Sequence, residues 1–432
     1  MCPIKKFIPL IFCLSLLVGQ GTMNGFGLGH FYENQGITSA GNGLNSLVPG
    51  FQSNVSLSNP STWHHLKYTH LSLSYSGDEN TISDLPLLNR YSGLSYASWI
   101  VPIKSKGSFG LALVPYADQR ITLTDTDTTS FIAFDDTLSL LKSFDRSGGI
   151  MAFKIGTSYL IRENLSVGLS VDMLFGSSRQ NESIFFDGSS IIQTSRTRYS
   201  GVLAEVFISW ALQEKINLFA SVKQTLRGLD GIYTEKHLFD DANGNGYHDY
   251  GNPLDFPLPD SVSAKNEIRL TGIHKPKQFS FGVQSKLNKQ TSISFEFSTI
   301  KDKGTISDYL DKGTLSDYLT LPLDDLINRS NDFKLSLVRF PNDISLDLVD
   351  KISFRTGLMY KSHTLHSETN VTEVGGSLGF GFKFKAVGNQ VDLNYYLGKR
   401  KYPDSTFKTE IIQQMQVGVS LGDLWFVKRR QK

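Results

Sequence analysis

The residues best suited by type and spacing to do chemistry are in Asp241–Asp249, DANGNGYHD. Asp241, Asn243, Asn245 and Asp249 stand at positions 1, 3, 5 and 9 of a calcium-type loop. Gly246 supplies the sharp turn at position 6, and the Tyr247 carbonyl is offered at position 7. Position 12 is Asn252, where a bidentate Glu would normally close the cage, so a Ca2+ ion held here is held weakly. An ordinary Asn/Gly turn cluster has the same composition, and both readings stand. A bound cation would stiffen the loop and would not catalyse.

Other candidates are thinner. His363 and His366 are spaced as HxxH, but no third ligand accompanies them and a solvated pair is expected. Gly376, Gly379 and Gly381 fall inside a strand-like run, so they read as small lumen residues and not as a phosphate loop. KGTISDYL from Lys303 and KGTLSDYL from Lys312 are near-repeats. They read either as a neutral duplication or as an outer greasy patch of Tyr309, Leu310, Tyr318 and Leu319. No Gly-x-Ser-x-Gly elbow or nucleophile–base signature stands out, and the chain is read as a non-enzyme.

The elements that would carry these residues are strands. In Leu165–Gly176, LSVGLSVDMLFG, Leu165, Val167, Leu169, Val171, Met173 and Phe175 share one face. Ser166, Gly168, Ser170 and Asp172 share the other, with Leu174 the only apolar intruder. Strand signals fall at 66–76, 91–103, 108–123, 147–160, 165–180, 197–211, 216–227, 278–287, 291–300, 331–340, 351–361, 373–385, 389–397 and 407–426. Fourteen is an even number, as a closed antiparallel barrel with both ends on one side requires. Every second link is short, as at Arg162–Asn164 and Asn288–Gln290, and only Pro341–Asp350 breaks that pattern. The alternate links are mostly long and polar, reaching 228–277. Short turns at one rim and long loops at the other mark a 14-stranded antiparallel transmembrane β-barrel, an all-β fold, better than a sandwich.

Phe279, Phe281 and Val283 match Ile293, Phe295 and Phe297 across a turn, and Leu378–Phe384 matches Val391–Leu397 in the same way. These would face lipid. Lys or Arg facing lipid near the midplane costs about 2–4 kcal/mol, so the charges on the opposite parity belong to the lumen. Those charges are mixed in sign (Lys154, Lys223, Lys286 and Arg355 against Asp172, Glu205 and Glu296), which suits interior ion pairs better than a selectivity ring. Leu203, Phe207, Phe219, Met359 and Tyr396 also point inward by parity. They line a site for greasy ligands, or else they pack against an internal plug.

The 432 residues carry a formal charge of +2, with 19% charged, which argues against nucleic acid as a partner. Residues 1–21 read as a cleaved signal peptide, with Lys5 and Lys6 ahead of the apolar run Phe7–Val18. Cys2 and Cys13 both lie inside it, so the mature chain has no disulfide and no thiolate metal site. An exported, cysteine-free chain rich in strands suits a bacterial outer membrane, and also a secreted β protein.

The Gly/Asn-rich opening Gly36–Trp63, GITSAGNGLNSLVPGFQSNVSLSNPSTW, ends in Asn59-Pro60-Ser61. With the signal and the strand count, it resembles the FadL-type outer-membrane transporters of long-chain fatty acids and other hydrophobic compounds. The resemblance implies an N-terminal plug segment over 22–65, closed by the Asn59–Pro60 motif, and a barrel over 66–426. It implies passive uptake of hydrophobic small molecules, and a lateral gate where the third strand is interrupted, here between Gly110 and Pro115. Proline cannot donate to a ladder, so Pro115 leaves a gap or merely ends the strand. The basic tail 427–432 departs from the aromatic ending common in barrels and is expected in the periplasm. The chain is read as a monomer in contact with outer-membrane lipids, with no cofactor beyond the Ca2+ named above. The alternatives are a non-transport barrel acting as a scaffold or shuttle in protein secretion, a general porin, and more remotely an outer-membrane esterase or lipase.

Overall fold

The computed structural model describes residues 21–423, apart from 33–35, 83–87, 104–105, 125–128, 134–135, 187–188, 263–265, 322, 324, 343–346, 348, 386–388 and 404–408. The predicted signal before Gly21, the closing residues Trp425 and Phe426, and the basic tail therefore lie outside the described residues.

Fourteen strands form the wall: β1 (Thr69–Ile82), β2 (Leu88–Ile103), β3 (Gly107–Asp118), β4 (Asp136–Arg162), β5 (Leu165–Phe186), β6 (Ser189–Gln213) and β7 (Ile216–Thr234), then β8 (Pro276–Lys286), β9 (Thr291–Asp302), β10 (Ile327–Arg339), β11 (Ile352–Leu365), β12 (Asn370–Lys385), β13 (Asn389–Lys401) and β14 (Thr409–Asp423). Each pairs antiparallel with its neighbour in sequence, and β14 closes on β1 from Glu410↔Ile82 to Asp423↔Thr69. Closure removes the exposed sheet edge that lipid could not satisfy. Short strands Ile121–Thr124 and Thr129–Ala133 pair with β4, His237–Asp240 with β6, and Glu267–His274 with β7.

The predicted pairing across the β8–β9 turn is present as Phe281↔Phe297 and Val283↔Phe295. Parity sorts the two solvents: Phe380 is 49% exposed on the outer face, while Arg355, which follows its register partner Phe354, is fully buried on the inner one. Gly376 is an exception to the reading of its run, since it shares the outer face with Val374 and Leu378.

The strands outrun their sequence signals at the long-loop rim. β4 has 27 residues, β5 has 22 and β6 has 25, so much of 124–146 and 181–196, expected as loops, continues the ladder. Above the lipid both faces meet water, and the hydrophobic alternation disappears while backbone pairing goes on.

Residues 21–66 run inside the barrel and are almost wholly buried. Helix α1 (Ile37–Gly41) lies against β11–β14, and the short helix Pro60–His65 lies against β2–β6. Between them these two pieces reach most of the inner wall.

Candidate functional site in the lumen

The N-terminal segment is held by inward polar side chains of the wall. Glu296 accepts the backbone N–H groups of Leu47 at 2.8 Å and Val48 at 3.3 Å. Arg355 donates to the Gly50 carbonyl at 2.8 Å, and Arg146 to those of Asn24 and Gly27 at 2.8 and 3.0 Å. Gly43 N–H donates to the Ser377 hydroxyl at 2.8 Å. These bonds satisfy irregular backbone that has little water around it.

Asn59 and Pro60 start the short helix. The Asn59 side chain accepts from Ser61 N–H at 3.0 Å and donates to the Leu47 carbonyl at 2.8 Å, while Pro60 fills the first helical position. Trp63 then packs on Gly110 and Gly156 of the wall.

All five predicted lumen residues are buried on the inner face, but the structure does not gather them into one site. Phe207 and Phe219 pack with Leu47 and Val48, whereas Met359 and Tyr396 pack with Ala40 and Leu44. Leu203 joins a larger cluster with Leu28, Trp63, Leu229 and Tyr233. The N-terminal segment thus contributes to the cluster of each.

The inner charges are paired. Lys223 bridges Glu205 at 3.0 Å and Asp172 at 3.7 Å, and Lys154 meets Asp172 at 3.1 Å. Arg355 bonds Asp392 at 2.7 Å, and Arg400 joins Glu373 at 2.7 Å and Glu410 at 2.8 Å. Lys286 donates to the Asn54 side chain at 2.8 Å.

The wall has a local break beside β3. β2 and β3 pair only from Ala97↔Leu113 to Ile103↔Gly107. Beyond that point β2 pairs only with β1, while Val114–Asp118 pairs with β4 through a bulge between Pro115 and Ala117. His30 and Phe31 pair with Asp118 and Ala117 from inside. Pro115 lacks an N–H, and the Tyr116 bulge follows it, so the ladder to β2 is lost where the sequence placed an interruption. Gly110 lies below the break and pairs on both sides, to Ile100 and to Gly156.

Two cavities meet at His30, Phe31 and Tyr32, which line both. One holds ≈ 1000 Å³ of empty space, partly open, among Phe207, Leu47, Ile300, Tyr116, His274 and Asp302. The other, ≈ 1440 Å³ and also partly open, lies against the break at Gly93–Ser95 and Pro115–Asp118, where His30 and Phe31 take up the edge at Asp118 and Ala117, and reaches Tyr396 and Arg400. Burial lowers the His30 pKa well below its usual value, with Arg400 and Lys361 adding to the effect. Burial, and then Asp118, raises that of Tyr32.

In the first cavity, His274 Nδ1 meets Asp302 at 2.6 Å and Nε2 meets the Tyr116 hydroxyl at 2.8 Å. Phe31 stacks on the His274 ring with centroids 4.6 Å apart. Sequence reading missed these three polar residues because they come from segments remote in the chain.

The predicted calcium loop brings its donors together. Asp241 accepts Asn245 and Gly246 N–H at 3.2 and 2.9 Å, and Asn245 donates to Asp249 at 2.9 Å. The Asp249 carboxylate is held below its usual pKa by the Gly251 N–H and by Asn245. Asp255, which the spacing did not single out, is buried and accepts Ala242 N–H at 3.1 Å, Asn243 at 3.3 Å and Asp249 N–H at 2.9 Å. Tyr247 is exposed, with the Arg179 guanidinium 4.7 Å above its ring. Among the described residues no three His, Cys, Asp or Glu side chains alone form a metal cluster, so a cation here would also draw on Asn243, Asn245 and the Tyr247 carbonyl.

Two minor readings change. His363, expected in solvent, is buried and lines the first cavity. In the tandem repeat Ile306, Leu315 and Leu319 are buried, and Tyr309 and Tyr318 pack on the same cluster, so these do not form an outer patch; the Leu310 side chain lies outside the described residues.

Residues 4–432 match the BamG family model. A Pseudomonas aeruginosa FadL homologue superposes with a TM-score of 0.57 at 13% identity, covering 91% of this chain and 99% of that one. The CymD monoaromatic hydrocarbon channel gives 0.56 at 13% identity, with 92% and 100% covered. The Ralstonia pickettii toluene transporter TbuX gives 0.51 at 13% identity, with 90% and 98% covered. No curated protein sequence matches the chain. Extending over nearly its whole length, the family match assigns the chain to the BamG family, and its barrel has the FadL-type fold.

Proposed function

We propose that this protein is an outer-membrane channel for passive movement of hydrophobic small molecules, with residues 21–66 as its plug. The observation that carries the reading is the pair of cavities meeting at His30–Tyr32, one of them lying against the break between β2 and β3. The break would serve as a lateral gate, with Pro115 and the Tyr116 bulge keeping the ladder open. Of the five apolar lumen residues, Phe207 would contribute surface on the first side and Tyr396 on the second. A fatty-acid chain is one ligand of suitable shape. In the loop, Asp241, Asn243, Asn245, Asp249, Asp255 and the Tyr247 carbonyl would hold a Ca2+ ion whose part is to rigidify the loop.

The secretion-scaffold reading is favoured by one fact: the N-terminal segment already covers most of the apolar lumen positions. Reconstituted protein separates the readings. A channel for hydrophobic compounds binds an alkylbenzene saturably and moves it into vesicles while passing little ion current. Large ohmic conductance would identify a general porin instead. Absence of saturable binding would leave the scaffold.

A further inference from the structure

We propose that Asp302, His274 and Tyr116 form a recognition point that selects, among otherwise apolar molecules, those carrying a hydrogen-bond donor, such as an alkylphenol or a long-chain alcohol. The inference rests on the channel reading and narrows its ligand.

The direction of the hydrogen bonds decides the chemistry. Asp302 accepts the backbone N–H groups of Lys275 and Gly304, each at 2.8 Å, and its other oxygen faces His274 Nδ1 at 2.6 Å. A carboxylate only accepts, so Nδ1 carries the ring proton and donates. In the proposed arrangement the ring is neutral, so Nε2 accepts and the Tyr116 hydroxyl donates to it at 2.8 Å. With its proton committed, the Tyr116 oxygen presents only lone pairs to the cavity. A ligand O–H or N–H completes that oxygen, whereas an ether or carboxylate oxygen meets lone pairs with lone pairs.

The arrangement is rigid. His274 is buried, and its ring is stacked on Phe31 at an interplanar angle of 8°. Three elements converge here: β3 brings Tyr116, the strand Glu267–His274 brings the imidazole, and the end of β9 brings the carboxylate. Around this point Phe31, Leu47, Phe207, Ile300 and Ile327 supply apolar surface beside polar side chains that include Glu205, Lys223, Gln278 and Arg329, and the ≈ 1000 Å³ of empty space is partly open to solvent. A site built to bond a hydroxyl disfavours the analogue lacking it, because the lone pairs of the Tyr116 oxygen then find no donor.

A purely structural role, tying β3 to β9, is separated by ligand preference. Full-length protein in detergent is titrated with 4-nonylphenol, its methyl ether and nonylbenzene, with displacement of an apolar fluorophore as the readout. Wild type is expected to bind the phenol about tenfold more tightly than the ether, the effect of one net hydrogen bond. Tyr116→Phe should bring that ratio to about one and leave nonylbenzene binding within about twofold. His274→Phe, which keeps the stack with Phe31, frees the Tyr116 proton to donate and should raise affinity for the ether. Equal wild-type affinities for phenol and ether, or a preference that survives Tyr116→Phe, overturns the inference and leaves the channel reading standing. No saturable binding of any of the three, nonylbenzene included, overturns both.

Discussion

Trp63 lies directly over Gly110, so near that a Cβ at 110 would come within 2.7 Å of its indole ring. Gly156 on β4 stands in the same relation to Trp63, also at 2.7 Å. The paired glycines form a slot in the wall for one aromatic side chain of the N-terminal segment. Gly110→Val or Gly156→Val should therefore expel the ring and cost about 1–3 kcal/mol, the range for overpacking. The check is the urea midpoint of the purified barrel. Gly376→Ala is the control, since its Cβ would meet nothing nearer than Leu358 at 3.4 Å, an ordinary contact.

Glu296 is the side chain that ties the segment down at its middle. It accepts two backbone N–H groups well and faces Lys334 at 3.6 Å, with both side chains buried. Glu296→Ala removes an acceptor and the nearer carboxylate from Lys334, which keeps Asp332 at 3.8 Å, so the cost should stay below about 3–5 kcal/mol, that of a buried charge left wholly unpaired. Planar-bilayer recordings should then show ion conductance absent from wild type. An unchanged current would mean that the segment stays seated without this anchor.

The wall was readable in the sequence because it separates two solvents. Leu378, Phe380, Phe382 and Phe384 must meet lipid, and Lys383 and Asp392 must not, so parity is enforced residue by residue. Where the barrel rises above lipid that constraint ends, which is why the outer parts of β4 and β6 looked like loops. The lumen was harder to read for a related reason. Phe207 and Met359 point inward by parity, but parity does not say whether a ligand or Leu47 and Leu44 will cover them. Tyr116, His274 and Asp302 escaped notice because no local spacing links them. Asp255 lies beyond the window in which a calcium-type loop is normally read.

His30 offers a pH test of the partition between the cavities. Its folded pKa lies below the ordinary value near 6.5 because burial disfavours the charged ring, with Arg400, Lys361 and His363 working in the same direction and Glu373 opposing. A lowered histidine contributes stability that is fully present above the unfolded pKa and is lost as pH falls toward the folded one. Amide exchange over residues 26–32 should therefore quicken as pH drops below about 6.5, after correction for intrinsic rates. His30→Gln should flatten that dependence. A pH-independent protection pattern in wild type would contradict it.

The calcium-type loop predicts a protection difference. With Ca2+ bound, the segment 241–255 should resist proteolysis, and chelation should expose it. Asp255→Ala should abolish the difference, because this buried carboxylate holds both ends of the loop through Ala242 and Asp249. Asn252→Ala, at the position where Glu is normally found, should leave the difference intact. Identical cleavage with Ca2+ and with chelator would identify a turn cluster stabilised by its own hydrogen bonds.

The break between β2 and β3 predicts a separation of binding from movement. Ser95 and Pro115 line the same cavity on opposite sides of the break, and no ladder joins their strands at that height. Ser95→Trp would place a bulky ring in the opening without touching Tyr116, His274 or Asp302. If ligands leave sideways, uptake into vesicles should fall at least about tenfold while equilibrium binding in detergent stays within about twofold, since a blocked path raises a barrier and leaves the bound state alone. The wall bonds of β2 below Ala97 would be intact, so the barrel should fold normally. Uptake that survives Ser95→Trp but fails when the N-terminal segment is cross-linked to the wall would route the ligand past the plug instead.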